Sequence, residues 1–600
     1  MVHLYWIAFL GSSNRMVRKT TVRGAISPSL IKLGCESSRF SKFEPMFSIA
    51  RLTRPNLQRS TTVLTRAIIS FVLALPCDHK GIMTINARTK MLVLSLTLVM
   101  AMPTPAPSSS APANGTIVQI VRAGQSTPDA TAAFTPAIEL LGFNNKGQVA
   151  FRSSHTGMTG AALNSRIYVG SPDNLTEIVR VGQPAPDRNG VFSSLTQRPN
   201  DPQCVIRFWT IYALSSLLSI NSNGQMAFLG LLSGTNSGAQ DNTGIFLRGA
   251  SSIVQIARSG QSVPDGSGVF SGFGLPVVNS NGSVAFAASV LGLGGRPTNC
   301  TMGIFLAKDT SLIPIARSNI SASVGTQFIT GLGDWTFNNK DQFAFVGNLT
   351  LEQPNSVLYL AKGNSWIEIA RAGQPAPDGN GQFLSFSHPM LNDEGQVVFR
   401  SVLTGTKGGT RDNQGLVLAT SSRLLQIVRS GMPAPDGNGT LAGVNFPRLN
   451  NAGQVTFEAS YTGTSGGGRD NTAIFMYADG RGLKQLVRAG PRAQDGNGRL
   501  AAVGRSRING QGQVAFEATF IETREGANDN TGILLADGDN IVEIVRAGQP
   551  APDGNGKFSA VGPSFLNDAG QIAFLGALRG TTQDEYNYTG IYIWSPVLKK

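Results

Sequence analysis

The sequence predicts an all-β fold, a single eight-bladed β-propeller of four-stranded blades closed by the amino-terminal strand completing the last blade. Three observations predict it. The stretch I-V-R-A-G-Q-P-A-P-D-G at residues 544–554 recurs with drift, its first part beginning at Ile120, Ile178, Ile256, Ile315, Ile369, Ile427, Leu486 and Ile544. A second element, N-x-x-G-x-x-A-F or a close variant, begins at Asn144, Asn221, Asn279, Asn338, Asn392, Asn450, Asn509 and Asn567. The unit at each end is incomplete, and each end holds what the other lacks.

The steps between copies of the first element are 58, 78, 59, 54, 58, 59 and 58 residues, so one unit of about 58 residues repeats eight times with one long copy. Within a unit the pattern reads as four strands. The first leads into the asparagine, as in Gln382 to Leu391; then follow Q-V-A-F-x-A-x-L, T-G-I-F-L and L-x-x-I-V-R-A. Val514, Phe516 and Ala518 alternate on one face while Ala515 leaves a small residue on the other, which suits a sheet stacked between two neighbours. Asn-Asp-Glu-Gly at 392–395 and the Asp-Gly-Asn-Gly runs at 378–381, 436–439, 495–498 and 553–556 are turns, glycine and asparagine being the residues expected to accept positive φ.

Ring closure follows from the ends. A lone fourth strand, Thr116 to Ala123, precedes the first unit, and the last unit stops after its third, Thr589 to Trp594. Pairing them gives eight complete blades and hides both edges, whereas an open stack would need polar capping repeats. Residues 114–600 are thus expected to form the ring.

Ahead of it, residues 1–82 read as an upstream extension or misassigned start, disordered, with no hydrophobic period to build a core. Met83 opens a basic segment, Met91 to Ala101 is an uncharged apolar run, and Pro- and Ser-rich sequence ends at Ala111-Pro112-Ala113. That order is a secretory signal peptide, so residues 83–113 are expected to direct export. An organellar transit peptide is the rival reading of the Arg- and Ser-rich leader. The apolar run is short for a bilayer, and no transmembrane span is expected in the mature chain.

The net charge of +14 sits mostly in the leader, where residues 1–90 carry 14 Lys plus Arg against Glu36, Glu44 and Asp78. The ring is left nearly neutral, which argues against nucleic-acid binding. Cys204 and Cys300 could pair in an exported chain, and their placement leaves free thiols equally open.

At this point the chain resembles a family. The element at Asn509 to Phe516 is similar to the tandem repeat that names a group of bacterial exported proteins of the NxxGxxAF-repeat type with varied carboxy-terminal anchors. The resemblance spans about residues 115–594 and implies a secreted or surface-displayed repeat protein with no assigned activity. The chain ends Leu598-Lys599-Lys600 with neither an apolar helix nor a Pro-Glu-Pro sorting signal, so release is expected over anchoring.

Candidate site residues divide into those that repeat and those that break the repeat. The arginine of V-R-A-G is present in all eight copies, and seven have an aspartate seven residues later; after Arg317 that place is Val324. Arg371 with Asp378, Arg429 with Asp436 and Arg546 with Asp553 are therefore expected to form structural pairs, strand end to following turn. A ligand-binding ring of arginines is the functional alternative. Asp241, Asp412, Asp470 and Asp529 precede the third strands in D-N pairs and read as Asx turns; calcium is the alternative, though each offers few of the six to eight oxygens it takes. Otherwise no cofactor is expected.

Only His155 and His388 lie in the ring, without a metalloprotease, nucleophile-elbow or phosphate-loop pattern. His388 is expected near the mouth of the central channel. The long unit carries about twenty extra residues between Arg198 and Ser216, and Phe208, Trp209 and Tyr212 within it are ligand-binding candidates because they break the symmetry. The expected function is a secreted or surface binding or structural module, monomeric, for an extracellular glycan or protein ligand. The alternative is an extracellular polysaccharide hydrolase or lyase acting in the channel.

Overall fold

The computed structural model describes residues 115–156, 165–172, 174–195, 220–249, 252–292, 300–318, 320–321, 328–349, 355–363, 365–493, 495–582 and 588–597. These form eight antiparallel sheets. Blades 1 to 7 span 133–180, 191–258, 268–317, 320–371, 382–429, 440–488 and 499–546. Blade 8 joins 557–596 to Gly115–Arg122. Blade 5 is typical, with strands Gln382–Leu391, Val397–Thr404, Gln414–Ala419 and Leu424–Arg429 in that spatial order. The predicted propeller is the observed fold, with short fifth strands added at Val277–Val278 and Ile320–Ser321. Among the described residues there is no α-helix, and no helix is long and apolar enough to cross a membrane. The segments 1–82 and 83–113 lie outside the described residues.

The predicted closure is present. Gly115–Arg122 pairs antiparallel with Thr589–Pro596, Ile117 opposite Trp594 and Val118 opposite Ile593. The strand that opens the ring is therefore the outer strand of the blade that ends it.

The alternation A-F explains how blades stack. Alanine and phenylalanine point to opposite faces, and the small residue of one blade meets the aromatic ring of the next: Ala150 with Phe228, Ala227 with Phe286, Ala285 with Phe345, Ala344 with Phe399, Ala515 with Phe574 and Ala573 with Phe151. Each such ring stacks on an aromatic directly across the strand pair in several blades, Phe151 on Tyr168 with centroids 5.3 Å apart and Phe457 on Phe475 also at 5.3 Å. The hydrophobic clusters thus lie between sheets. A blade has no core of its own, and at about 1.5–3 kcal/mol for each buried Val or Phe the ring is held by its seams.

The N-x-x-G element supplies a second ring. Each of the eight asparagines donates from Nδ2 to the backbone carbonyl of the next: Asn144 to Asn221 at 2.9 Å, Asn392 to Asn450 at 3.0 Å, Asn509 to Asn567 at 3.1 Å, and Asn567 back to Asn144 at 3.1 Å. Asn221, Asn279, Asn338 and Asn450 complete the circle. Oδ1 of Asn509 accepts from the backbone of Gln511 and Gln513, so a buried amide is fully used. Positive φ belongs to the glycine and not to the asparagine: Gly512 has φ 83°, and the Gln454 amide of the preceding blade occupies the space where its Cβ would stand. The sequence expectation that asparagine served the turn by accepting positive φ is corrected accordingly.

Candidate functional site

At the outer ends of six blades the arginine of V-R-A-G finds an aspartate, but not the one seven residues on. Arg429 pairs with Asp378, Arg488 with Asp436 at 2.7 Å, Arg546 with Asp495 at 3.3 Å, Arg258 with Asp187 at 2.6 Å and Arg317 with Asp265 at 2.7 Å. The partner lies in the turn that leads into the same blade, 51 or 52 residues earlier and 71 in the long blade 2. Arg371 and Asp378, Arg429 and Asp436, and Arg546 and Asp553 are therefore not mutual pairs. The reason is topological: the turn after an outer strand crosses inward to start the next blade, and the arginine that meets it is on that blade's own last strand. Asp553 pairs with Arg122 at 2.6 Å, across 431 residues, so the same clip fastens the closing blade.

The clip at Arg488 shows the full set of bonds. Arg488 donates from Nε to the Asp470 carbonyl at 2.9 Å, from Nη1 to Asp436 and from Nη2 to the Asn438 carbonyl at 2.6 Å, and its guanidinium lies 4.2 Å over the Tyr461 ring. The D-N carboxylates join this network rather than standing open. Asp412 accepts from Asn380 at 2.8 Å, from the Thr406 hydroxyl at 2.5 Å and from the Gly408 amide four residues upstream at 3.1 Å. These bonds, the Thr406 hydroxyl first, hold its carboxyl below the usual range. No group of three or more His, Cys, Asp or Glu side chains that could hold a metal occurs among the described residues.

Two blades depart. In blade 1 Asp129 takes Arg166 of the third strand at 2.9 Å, leaving Arg180 exposed. In blade 4 the position that would supply the acid is Val324, outside the described residues, and Arg371 turns to Glu368 on its own strand at 2.5 Å. The missing aspartate is felt at Arg371, one repeat after Arg317.

The inner strands are different. They are the first strands of each sheet, and successive ones approach each other around the ring. In blades 4 to 8 the inner strand carries a bulge about four residues before the ring asparagine. In blades 5, 6 and 7 that bulge places His388, Phe446 and Arg505 at φ 55°, 51° and 50°, a backbone that costs side chains of this size about 1 kcal/mol or more. The backbone amide of His388 donates to Asp334 of blade 4 at 2.8 Å, with Nδ1 3.9 Å from the same carboxylate. Its ring meets the Phe446 ring edge-on with centroids 5.9 Å apart, and Phe446 is 47% exposed. Burial lowers the His388 pKa, Asp334 opposes that, and Arg400 and Arg448 reinforce it.

Around these three lie Arg448 and Arg507, two residues before their ring asparagines, and Arg400, Glu458 and Glu517, eight after theirs. Arg400 donates from Nε to the Val444 carbonyl of the next blade at 3.2 Å and from Nη2 to Gln414 at 2.8 Å. Glu458 and Glu517 accept the backbone amides of Ser506 and Ser564 on the next blades at 3.1 and 3.2 Å. Arg448 and Arg507 have no such use. Among the described residues neither makes an ion pair, and their guanidinium bonds go only to the Pro447 and Ser506 carbonyls beside them, at 3.2 and 3.4 Å. Burial, and then the charge of Arg507, bring the Arg448 pKa down to about 10. Burial raises both Glu458 and Glu517.

A cavity of about 200 Å³ lies against the asparagine ring between blades 3 and 6, bordered by Val278, Phe337, Leu391 and Leu449. A larger depression of about 540 Å³ beside Pro184 and Arg188 in blade 2 gathers no cluster of polar groups. Of the sequence candidates, His388 belongs to the inner cluster. His155 is core, its Nε2 3.0 Å from the Tyr168 hydroxyl. Phe208, Trp209 and Tyr212 lie outside the described residues. Cys300 is disulfide-bonded.

The family of unknown function DUF7453 matches three overlapping stretches of the chain, 99–300, 292–490 and 406–596. The chain belongs to this family. In this DUF7453 protein the matched stretches run through all eight blades. No curated protein matches it. Solved structures similar to it include the β-propeller domain of the Trilobed protease from Pyrococcus furiosus, 9% identical with a TM-score of 0.36 over 70% of this chain and 100% of that one. Others are an oligogalacturonate lyase in complex with manganese (11%, 0.33, 81% and 99%) and the Dos1 propeller (8%, 0.35, 81% and 95%). At these identities the likeness is one of fold alone.

Proposed function

We propose that this DUF7453 propeller is an exported binding module whose ligand seats on the inner strands of blades 5 to 7. The observation that carries the reading is the shared bulge: one backbone geometry, at φ 55°, 51° and 50°, presents a histidine, a phenylalanine and an arginine. A scaffold that repeats its asparagines in every blade has no folding reason to vary the side chain at this bulge, and strained positions cluster where side chains are presented to ligands. Export is supported by the charge, apolar run and small-residue order of residues 83–113, by the likeness to exported NxxGxxAF-repeat proteins, and by the disulfide at Cys300.

A second reading, an extracellular polysaccharide hydrolase or lyase, draws on Glu458 and Glu517, whose carboxyls burial shifts upward, the direction a general acid needs. The protein is tested on a broad glycan array with product analysis of every glycan retained. Binding without turnover supports the module. New reducing ends or unsaturated products, lost in Glu458→Gln or Glu517→Gln, support the enzyme. Retention unchanged in Phe446→Ala overturns the placement on the inner strands.

A further inference from the structure

The inner cluster says more about its ligand than that one binds. We infer that Arg448 and Arg507 form a carboxylate-binding fork for an acidic sugar residue, with Phe446 as the apolar platform beside it; this rests on the reading that the inner strands are the binding face.

Arginines elsewhere on this scaffold show what a satisfied guanidinium looks like. The clip arginines each have a carboxylate and at least one further oxygen, and Arg400 has a carbonyl and an amide oxygen. Arg448 and Arg507 are half-buried, and the one hydrogen bond each guanidinium makes is a long one to the carbonyl of its preceding residue; Arg507 also lies 5.9 Å from the centre of the Phe565 ring, a contact that takes up none of its N–H donors. Placing a guanidinium away from bulk water without an acceptor is costly, and the cost is recovered when a carboxylate arrives to take paired N–H bonds. The neighbouring acids do not fill that role, because Glu458 and Glu517 are held by backbone amides of the next blades and Glu517 also accepts from Arg505 at 3.3 Å. Burial first, and then the charge of Arg507, depress the pKa of Arg448, and the charge of Glu458 only partly opposes them.

The sugar is inferred from the remaining surface. Phe446 is an exposed aromatic ring held at a fixed angle by His388, and a flat apolar face next to paired donors suits a ring with C–H groups on one side and a carboxylate at its edge. A bare inorganic anion would have no use for the ring. His388, Phe446 and Arg505 follow one another on consecutive inner strands, so a chain of such residues could run across the three blades.

The test is titration calorimetry of the full chain with an oligoglucuronate, with a neutral cello-oligosaccharide of the same length, and with sodium sulfate. The expected result is binding of the oligoglucuronate alone, weakened at least about tenfold in Arg448→Gln and in Arg507→Gln. Arg448→Lys and Arg507→Lys, which keep the charge but lose the fork, should be intermediate, and Phe446→Ala should lose about threefold to tenfold. Melting curves identify any variant that fails to fold, and the exposed Phe446 position keeps the test open if both arginine variants do. A neutral glycan that binds, is weakened by Phe446→Ala and ignores both arginine variants overturns the carboxylate fork and leaves the binding face standing. Sulfate binding as tightly as oligoglucuronate overturns the sugar. No binding of any glycan probe, or binding that no variant alters, overturns the fork and the binding face together.

Discussion

The outer ends of the blades and the inner strands of blades 5 to 7 are built from the same repeat and obey opposite rules. At the outer ends a guanidinium, an aspartate and an asparagine carbonyl recur in nearly the same geometry, and in blades 2 and 6 Nε, Nη1 and Nη2 each find an oxygen. On the inner strands the backbone recurs and the side chains do not, and two arginines keep spare donors. Sameness with full satisfaction is what a scaffold needs. Variation with unspent hydrogen-bonding capacity is what a ligand needs.

The closing blade gives the largest way to break the outer pattern. Removing residues 115–122 exposes the edge of Thr589–Pro596, takes the buried Ile120 and Val121 out of the seam and leaves Asp553 without Arg122. Two buried side chains at about 1.5–3 kcal/mol each and a broken ion pair at about 3–5 kcal/mol give a loss on the order of 6–11 kcal/mol. Calorimetry should show the melting transition collapse, and size-exclusion chromatography should show association through the open edge. The single variant Arg122→Ala should show the ion-pair part of the loss without the association. An unchanged melt in the deletion would mean that the seam contributes nothing to the ring.

The middle-sized effect compares a complete clip with the incomplete one. The Arg429 side chain is 6% exposed and paired with Asp378 from the incoming turn, whereas that of Arg371 is 27% exposed and its ion pair is with Glu368 on its own strand. Arg429→Ala should cost about 3–5 kcal/mol by leaving a carboxylate and two carbonyls short of a donor, and Arg371→Ala under about 1 kcal/mol. Urea unfolding of the two variants measures the difference, and equal losses would show that the partner from the incoming turn adds nothing.

The same comparison explains what the sequence could and could not disclose. The eightfold period, the four strands and the closing strand were legible because periodicity two and the turn residues are local signals. Pairing Arg429 with Asp436 failed because a fixed spacing along the chain is not a distance in space; the turn carrying Asp436 already belongs to the next blade, where Arg488 meets it. The asparagines were recognised as turn residues, but their bonds to the neighbouring blade could not be seen without the ring. Phe446, Arg448 and Arg507 were missed although a signal existed. Aligned on the ring asparagine, the positions four and two residues before it hold Leu275 and Val277 in blade 3 but Phe446 and Arg448 in blade 6. The conspicuous insertion at 198–216 drew attention away from these single-residue departures.

The smallest effect separates the two regions by pH. Asp412 at the outer end has a lowered pKa, chiefly from the Thr406 hydroxyl, so its contribution is present above the unfolded carboxylate value near 3.9 and is lost as pH falls through the folded value. Glu458 on the inner side has a raised pKa because burial outweighs the Ser506 amide and the charges of Arg448 and Arg507. Its contribution has the other sign: present below the unfolded value, about 4.3, and lost as pH rises through the folded one. Glu458→Gln retains an acceptor for Ser506 and removes the ionisation, so the stability of this variant relative to the native chain should rise between pH 3.5 and pH 8. Asp412→Asn should move the other way over the acid limb, its deficit growing as pH rises from 2 to 5. Chemical unfolding at a series of pH values reads both slopes. A flat difference for Glu458→Gln would mean that the inner glutamate is solvated in the free protein, and the inner strands would then differ from the outer ends in side-chain identity but not in burial.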